Sequence, residues 1–586
     1  MEIPQYTLDD YEQRFADRHR LHDVVRRWVA RKPEETALLS AEDGRAITWR
    51  EFDLSTQGMA AELLRLGFAK GEFLVTLLPW SIDLVLLEYS CFRIGVIVAP
   101  LDLRLSQAEV IRAMELLRPR AFACLGSIID AGEIRRIVES QCPWLRQWIL
   151  FSPAGESPAS QIAGRLESDV LQFDSLTKAA RHAFEHGLPG ADAQALVMAD
   201  RSVTEHDGAL VIFTTGSTGS PKPALLSHRS ITSQNLCLCG AMMGGDRGIR
   251  ALVHLPPSHV GGQSELLMSI LFGGGTAVLM ETFDPRRALR AIAEHQIEIL
   301  GQIPAMFQLE WMLKDYDKYD LSSLQYVVYG GSAVSRPFVE RMATMAPVVG
   351  TGLGLTEASG FCTYAVEDAA NCGKLAAGLG LSMPIYPCTI RQPMREDGTA
   401  GDELPQAQMG HVCFRGPQTF LGYVGDPEAT AKTISRDGYL YTGDLGFIDD
   451  AGLHLTGREK WVIKSFGYQI FPGDVEAHIC ALSEKVTSCV AVGIEHRVAS
   501  EAVVALVEKK PGVELSAKEL STHARLLAPY MRPRHWIILE PGALPLNRVA
   551  KPDHMRAQQM ACEEIARLRA EGGWDRGFEQ VGELPT

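Results

Sequence analysis

Short apolar runs recur through the first three quarters of the chain, and each is cut off by Gly, Pro or a polar loop. They read VIVAP at 96–100, ALVIF at 209–213, ALVHLPP at 251–257, TAVLM at 276–280 and QYVVYGG at 325–331. Between them lie stretches of helical period such as DPRRALRAIAEHQ at 284–296. Strand-length runs alternating with helices make an α/β fold with mixed or parallel sheets. At 586 residues the chain exceeds what one core organises, so two or more domains are expected.

The tail of the sequence is patterned differently. The run 439–460, YLYTGDLGFIDDAGLHLTGREK, reads as a hairpin turning at Asp449-Asp450-Ala451-Gly452. Beyond it come strands (SCVAVGI, EAVVALVE), a helical stretch SAKELSTHARLLAPYM and a last helix over DHMRAQQMACEEIARLRAEGG. This suits a smaller α+β domain. SPAGESPASQIAG, from Ser152, reads as a surface loop inside the first domain.

The net charge of −15 disfavours nucleic acid as a general partner. The apolar region Leu84 to Leu101 is interrupted by Glu88 and Arg93, which fits a buried helix and strand and not a membrane span. The first residues are charged and lack an apolar signal core. The 12 Cys show no metal spacing, Cys237 and Cys239 standing only as CLC, so reduced thiols in a cytoplasmic protein are expected.

Residues 214–222 read TTGSTGSPK. This is not the Walker pattern, since Pro221 precedes Lys222 and Pro223 follows it. Its chemistry still suits phosphate. Gly216 and Gly219 let backbone N–H groups converge on an anion, Thr214, Thr215, Ser217 and Thr218 add hydroxyls, and Lys222 adds a point charge. On composition alone a flexible polar loop is the favoured reading.

The motif has company: GTGLGLTEASG at 350–360, YLYTGDLG at 439–446, GREKWVIKSFGYQIFPGDVE at 457–476 and LPLNRVAKPD at 544–553. In this order and spacing, over roughly residues 25 to 555, the chain resembles the adenylate-forming superfamily and its acyl-CoA synthetase branch. The resemblance implies a large adenylation domain over 1–459, with mixed sheets and helices, and a small mobile α+β domain over 460–586 hinged at Lys460. It also implies the reaction. A carboxylate attacks the α-phosphate of ATP to give acyl-AMP and pyrophosphate, and a thiol, usually that of coenzyme A, then displaces AMP.

Residue roles carry over by the same resemblance. Thr215 to Lys222 wrap the β- and γ-phosphates. Thr356 donates to the α-phosphate and Glu357 holds Mg²⁺. Gly330, Gly331 and Ser332 line the adenine and the acyl pocket. Asp444 accepts from the ribose hydroxyls, with Arg458 beside it. Lys551 reaches both the substrate carboxylate and the α-phosphate. Lys464 and Gly467 serve the second conformation, Gly467 by letting the pantetheine arm pass. His259 stands at the mouth of the acyl pocket, where a gate and a structural histidine are equal readings. Leu353 replaces the Tyr that usually stacks on adenine, Ala550 replaces a usual Gly, and Pro223 stands where Gly is usual.

No Asp occurs between Leu255 and Leu267, where amino-acid-activating members bind the substrate ammonium, so an apolar fatty, alicyclic or aromatic acid is expected. An ATP-dependent acid–CoA ligase leads. A ligase loading the thiol of a separate carrier protein is the alternative, and a decayed nucleotide-binding protein is the reading from another class. A homodimer is compatible with all three. A dinucleotide-dependent redox enzyme is disfavoured, because no GxGxxG opens a helix after the first strand.

Overall fold

The computed structural model describes residues 6–126, 138, 141–151, 169–214, 221–332, 334–376, 378–458, 461–465, 468–496, 499–547 and 551–574. Within these, two large sheets carry the first three quarters of the chain. One has, in spatial order, Leu381–Ser382, Thr363–Asp368, Val348–Thr351, Tyr326–Tyr329, Ile299–Gln302, Arg250–Val253, Thr276–Leu279, Thr36–Ser40 and Ala46–Thr48. Its six inner strands, from Val348–Thr351 to Thr36–Ser40, run parallel. The flanking strands are antiparallel.

The second sheet orders Gly422–Tyr423, Lys222–Ser227, Gly208–Thr214, Ile97–Pro100, Phe73–Leu77, Ala121–Leu125, Gln147–Phe151 and Asp169–Gln172. It is parallel from Gly208–Thr214 outward. The apolar runs of the sequence are thus inner strands, buried by helices on both faces.

Two helices between the sheets are buried almost all round. In Ile82–Ile94 only Asp83 escapes burial, and in His228–Met242 only Arg229 does. A helix buried on every face belongs in a core. The two charges inside the first are partnered, as burial demands. Arg93 pairs with Asp53 and donates to Thr56 Oγ1 at 2.9 Å, and Glu88 Oε1 accepts from Gln263 Nε2 at 2.7 Å. No described helix is long and apolar enough to cross a membrane.

The hairpin at 439–460 folds as read: Leu440–Asp449 pairs antiparallel with Gly452–Arg458, with Asp449 opposite Gly452. It belongs to a four-stranded sheet with Cys388–Arg391 and Gly410–Phe414. A five-stranded sheet follows, built on Val486–His496 and Ser500–Lys509, with Ile463–Ser465, Tyr468–Ile470 and His535–Leu539. The helix Pro472–Cys480 packs on one face and the helix His554–Ala570 on the other. One expectation is shortened. The stretch SAKELSTHARLLAPYM is α-helical only over Ala517–His523 and continues as single 3₁₀ turns, Ala524–Leu526 and Pro529–Met531. Pro529 forces the preceding residue out of helical geometry. The loop from Ser152, Lys460, Gly467 and Ala550 lie outside the described residues.

Candidate active site

The site forms where parallel strands of the first sheet end, at the carboxyl edge where α/β sheets place their ligands. The strand Tyr326–Tyr329 runs into Gly330-Gly331-Ser332, and Val348–Thr351 runs into Gly352-Leu353-Gly354. The chain then makes a tight hairpin, Gly354–Leu355 against Gly360–Phe361, with Thr356 and Glu357 in its 3₁₀ turn. Leu353 lies half-buried against the main apolar core, with its N–H donating to Thr363 Oγ1 at 2.8 Å.

Lys551 comes to this edge from the far end of the sequence. Its backbone is clamped by Asn547, which accepts from the Lys551 N–H at 3.0 Å through its side chain and donates to the Lys551 carbonyl at 2.7 Å through its own N–H. The ammonium stem lies against Gly331. A β-carbon at that position would sit 3.2 Å from Lys551 Cε and 3.8 Å from Nζ. Gly331 also has φ of 97°, which only glycine adopts without strain. Burial, with Arg458 nearby, draws the Lys551 ammonium below its ordinary pKa, while Glu265 and Asp444 oppose that.

Asp444 faces Arg458 across the hairpin, and Arg458 Nε donates to Asp444 Oδ1 at 3.0 Å. Asp444 is 4% exposed, and burial lifts its carboxyl above the usual range. Glu357 is oriented by Tyr423, whose hydroxyl donates to Oε1 at 2.6 Å. The same ring carries Lys222, with Nζ 5.1 Å from the centroid. Tyr423 therefore joins the candidate metal ligand to the candidate phosphate lysine. Thr214 and Lys222 are register partners at the mouth of the loop TTGSTGSPK. Thr215, Gly216, Ser217, Thr218 and Gly219 lie outside the described residues. One oxygen of Glu357 is anchored and the other carries no hydrogen bond among the described residues, which fits one carboxylate ligand of a hard cation that also binds phosphate.

His259 opens the acyl side. Its Nδ1 accepts from the Gly261 N–H at 3.1 Å, which puts the ring proton of the neutral form on Nε2. Burial first, then the Lys551 charge, lowers its pKa to about 4, so the ring is neutral near pH 7. The segment Gly261–Met268 after it is a π-helix, a form concentrated at functional sites. Gly262 permits it: a β-carbon there would lie 2.4 Å from the Pro256 carbonyl oxygen.

Two residues of this site went unread in the sequence. Tyr423 sits in no motif singled out there. Glu265, on the π-helix, lies between Leu255 and Leu267, a stretch marked in the sequence only by its lack of Asp. Burial lifts its carboxyl to about 7, against the pull of Lys551. Lys464 is not brought to the site. It is exposed on the strand Ile463–Ser465, and no described contact joins it to the residues above.

Comparison with known proteins shows the family. The profile of the AMP-binding enzyme family matches residues 25–424, and that of the AMP-binding enzyme C-terminal domain matches 474–551. The 3-[(3aS,4S,7aS)-7a-methyl-1,5-dioxo-octahydro-1H-inden-4-yl]propanoyl:CoA ligase of Mycobacterium tuberculosis is 29% identical, over 90% of this chain and 96% of that relative. The 4-coumarate–CoA ligase 5 of Oryza sativa subsp. japonica is 26% identical, over 86% and 87%. Among solved structures, ATP-bound MatB from Rhodopseudomonas palustris superposes with a TM-score of 0.74 at 21% identity, covering 93% of this chain and 99% of that one.

Proposed function

The chain belongs to the AMP-binding enzyme family, and from that premise we propose that it is an ATP-dependent carboxylic acid–CoA ligase. The supporting observation is the position of Lys551. A lysine from the C-terminal segment lies half-buried against Gly331, in the field of Asp444, Arg458 and Glu265. Adenylation brings two anions together, a carboxylate and the α-phosphate. A cation held at their meeting point lowers that barrier without reorganisation.

In the first half-reaction the acid's carboxylate oxygen bonds to the α-phosphorus, and the bond to the bridging oxygen of pyrophosphate breaks. Lys551 donates to both partners, Thr356 to the α-phosphate, and the loop closed by Thr214 and Lys222 holds the outer phosphates. Asp444, set by Arg458, accepts from the ribose hydroxyls. Mg²⁺, held by Glu357, supplies Lewis acidity on the phosphate oxygens. In the second half-reaction the thiolate sulfur of coenzyme A bonds to the acyl carbon and AMP leaves. We assign the domain boundary to 459/460 and the hinge to Lys460. Lys464 and Gly467 enter the site only in the rotated state, which accounts for the exposure of Lys464 here.

The acid is built mainly of hydrocarbon, as it is in the ring-bearing acids named for the two relatives. His259, neutral and half-buried beside Lys551, is a wall of its pocket. Coenzyme A is the acceptor, the protein works in the cytoplasm, and a homodimer is compatible with the fold.

Pyrophosphate release with ATP and Mg²⁺ across a panel of carboxylic acids, with and without CoA, tests this reading. Acid-dependent release sustained only with CoA is the expected result. Release that stops after about one turnover even with CoA transfers the acceptor role to a carrier-protein thiol. No release with any acid, together with retained ATP binding, replaces the ligase by a nucleotide-binding protein.

A further inference from the structure

The N-terminal segment packs on the buried helix His228–Met242, where Tyr11 Oη lies 2.8 Å from Thr232 Oγ1. At the edge of that contact three side chains of ligand type converge. Glu12 comes from the helix Leu8–Arg14, His19 from the residue after the 3₁₀ turn Ala16–Arg18, and Glu205 from the segment that leads into the strand Gly208–Thr214. One nitrogen or oxygen from each lies within 4.8 Å of the other two.

His19 is held as metal-ligating histidines are held, by a backbone carbonyl on its far nitrogen. Its ring stacks on Tyr11 with centroids 4.4 Å apart, its side chain is only 9% exposed, and Nε2 lies 2.9 Å from the Tyr11 carbonyl oxygen. A carbonyl only accepts, so Nε2 carries a proton and the neutral ring presents a lone pair at Nδ1. That Nδ1 makes no hydrogen bond among the described residues and faces Glu205 Oε2 at 3.3 Å. Two lone pairs at this range repel unless a positive centre stands between them. Arg229 is not that centre, because it holds the other oxygens: Nη1 donates to Glu205 Oε1 at 2.8 Å and Nη2 to Glu12 Oε1. Oε2 of each glutamate is left without a hydrogen bond among the described residues.

We propose that Glu12, His19 and Glu205 bind a divalent transition-metal ion, zinc by the chemistry of the donors, through His19 Nδ1 and Oε2 of each glutamate. Ligands about 2.0–2.2 Å from a tetrahedral zinc stand roughly 3.3–3.5 Å apart, the separation that His19 and Glu205 already have. Arg229 and the Tyr11 carbonyl orient the three ligands from behind. The exposed His206, with Nε2 3.7 Å from Glu205 Oε1, is a fourth donor within reach. An imidazole among the oxygens selects against Mg²⁺, so this ion differs in kind from the one assigned to Glu357. It ties the N-terminal helix to the strand Gly208–Thr214, which ends at the mouth of the phosphate loop. Its role is structural, and it depends on neither the acid nor the thiol acceptor.

The test uses the full chain, freed of metal by a chelator and titrated with zinc chloride by calorimetry and with cobalt chloride by visible absorption. One equivalent should bind, Co²⁺ should absorb as a four-coordinate ion, and excess Mg²⁺ should not compete. Zinc should raise the unfolding temperature by a few degrees. His19→Ala should weaken zinc binding by ~10²-fold or more and remove the thermal shift, with ATP binding unchanged as the sign of a folded chain. Glu12→Gln, at a half-buried position, should act in the same direction, and His19→Cys, which restores a zinc ligand, should recover both readouts. A wild type that binds no zinc would overturn the proposal and leave His19 as a protonated ring paired with Glu205. Binding that survives His19→Ala and is lost in His182→Ala would overturn it in favour of the exposed, stacked pair His182 and His186.

Discussion

The nucleotide end and the acyl end of this site are built on opposite principles. At the nucleotide end Asp444, Glu357 and Lys222 each have a partner close at hand: Arg458 on Asp444, Tyr423 on Glu357, and Lys222 on the ring of Tyr423. On the side of His259, neither the Glu265 carboxyl nor Gln234 Nε2 has a hydrogen-bond partner among the described residues. The first arrangement is preorganised for a ligand that does not vary. The second leaves polar groups unmet by the protein itself. Preorganisation favours rate and unmet polarity favours selectivity, so the two ends should fail differently when altered.

The largest effect belongs at the nucleotide end. Lys551→Ala should lower the rate of pyrophosphate release by ~10²–10³, the scale for one lost transition-state contact. Thioester formation from supplied acyl-AMP should survive. Equal loss of both steps would remove the asymmetry assigned to this lysine. Gly331→Ala should reproduce that split more mildly, by about 10-fold or more, because the methyl both strains a positive φ and presses on the Lys551 stem. Slowing of both half-reactions there would show a damaged turn and not a displaced lysine.

Tyr423→Phe removes the anchor of Glu357 and should cost about 10-fold in kcat/KM for ATP, as expected for a hydrogen bond to a charged group. Raised Mg²⁺ should restore part of it. An unchanged Mg²⁺ requirement would detach Tyr423 from the metal site.

The smallest effect concerns stability near the acyl end. Glu88, hydrogen-bonded to Gln263 of the π-helix, is lifted by burial to about 8 from the ordinary 4.5. Its folded-state pKa is raised, so its contribution to stability is complete below about 4.5 and is lost as pH rises to about 8. Glu88→Gln should therefore raise the melting temperature at pH 8 by a few degrees and leave it nearly unchanged at pH 4. Equal shifts at both pH values would mean that Glu88 is not titrating in the fold.

Legibility in the sequence divides along the same line. The α/β class, the inner strands, the hairpin at 439–460 and the charged residues Lys222, Glu357, Asp444, Arg458 and Lys551 could be read because each sits in a contiguous motif whose spacing is fixed by one turn or one strand pair. The acyl end could not. There Gln234 on one helix, Glu265 on a π-helix and Gly354 and Gly360 on a hairpin pack together, and nothing local in any of the three segments signals the others. Tyr423 escaped for a related reason: its strand is two residues long, and its meaning lies in Glu357, 66 positions away. The helix in SAKELSTHARLLAPYM was overextended because the apolar pattern outran the effect of Pro529.

The π-helix Gly261–Met268 carries a consequence of its own. Such a segment holds one more residue per turn than an α-helix, as an insertion into one would. Deleting a single residue between Gly261 and Glu265 would let the backbone relax toward ordinary α-helical bonding. Every following side chain would then turn by about 100° about the axis, carrying any carboxyl away from its present neighbours. The face this segment presents can thus be changed by chain length, without exchanging one residue type for another.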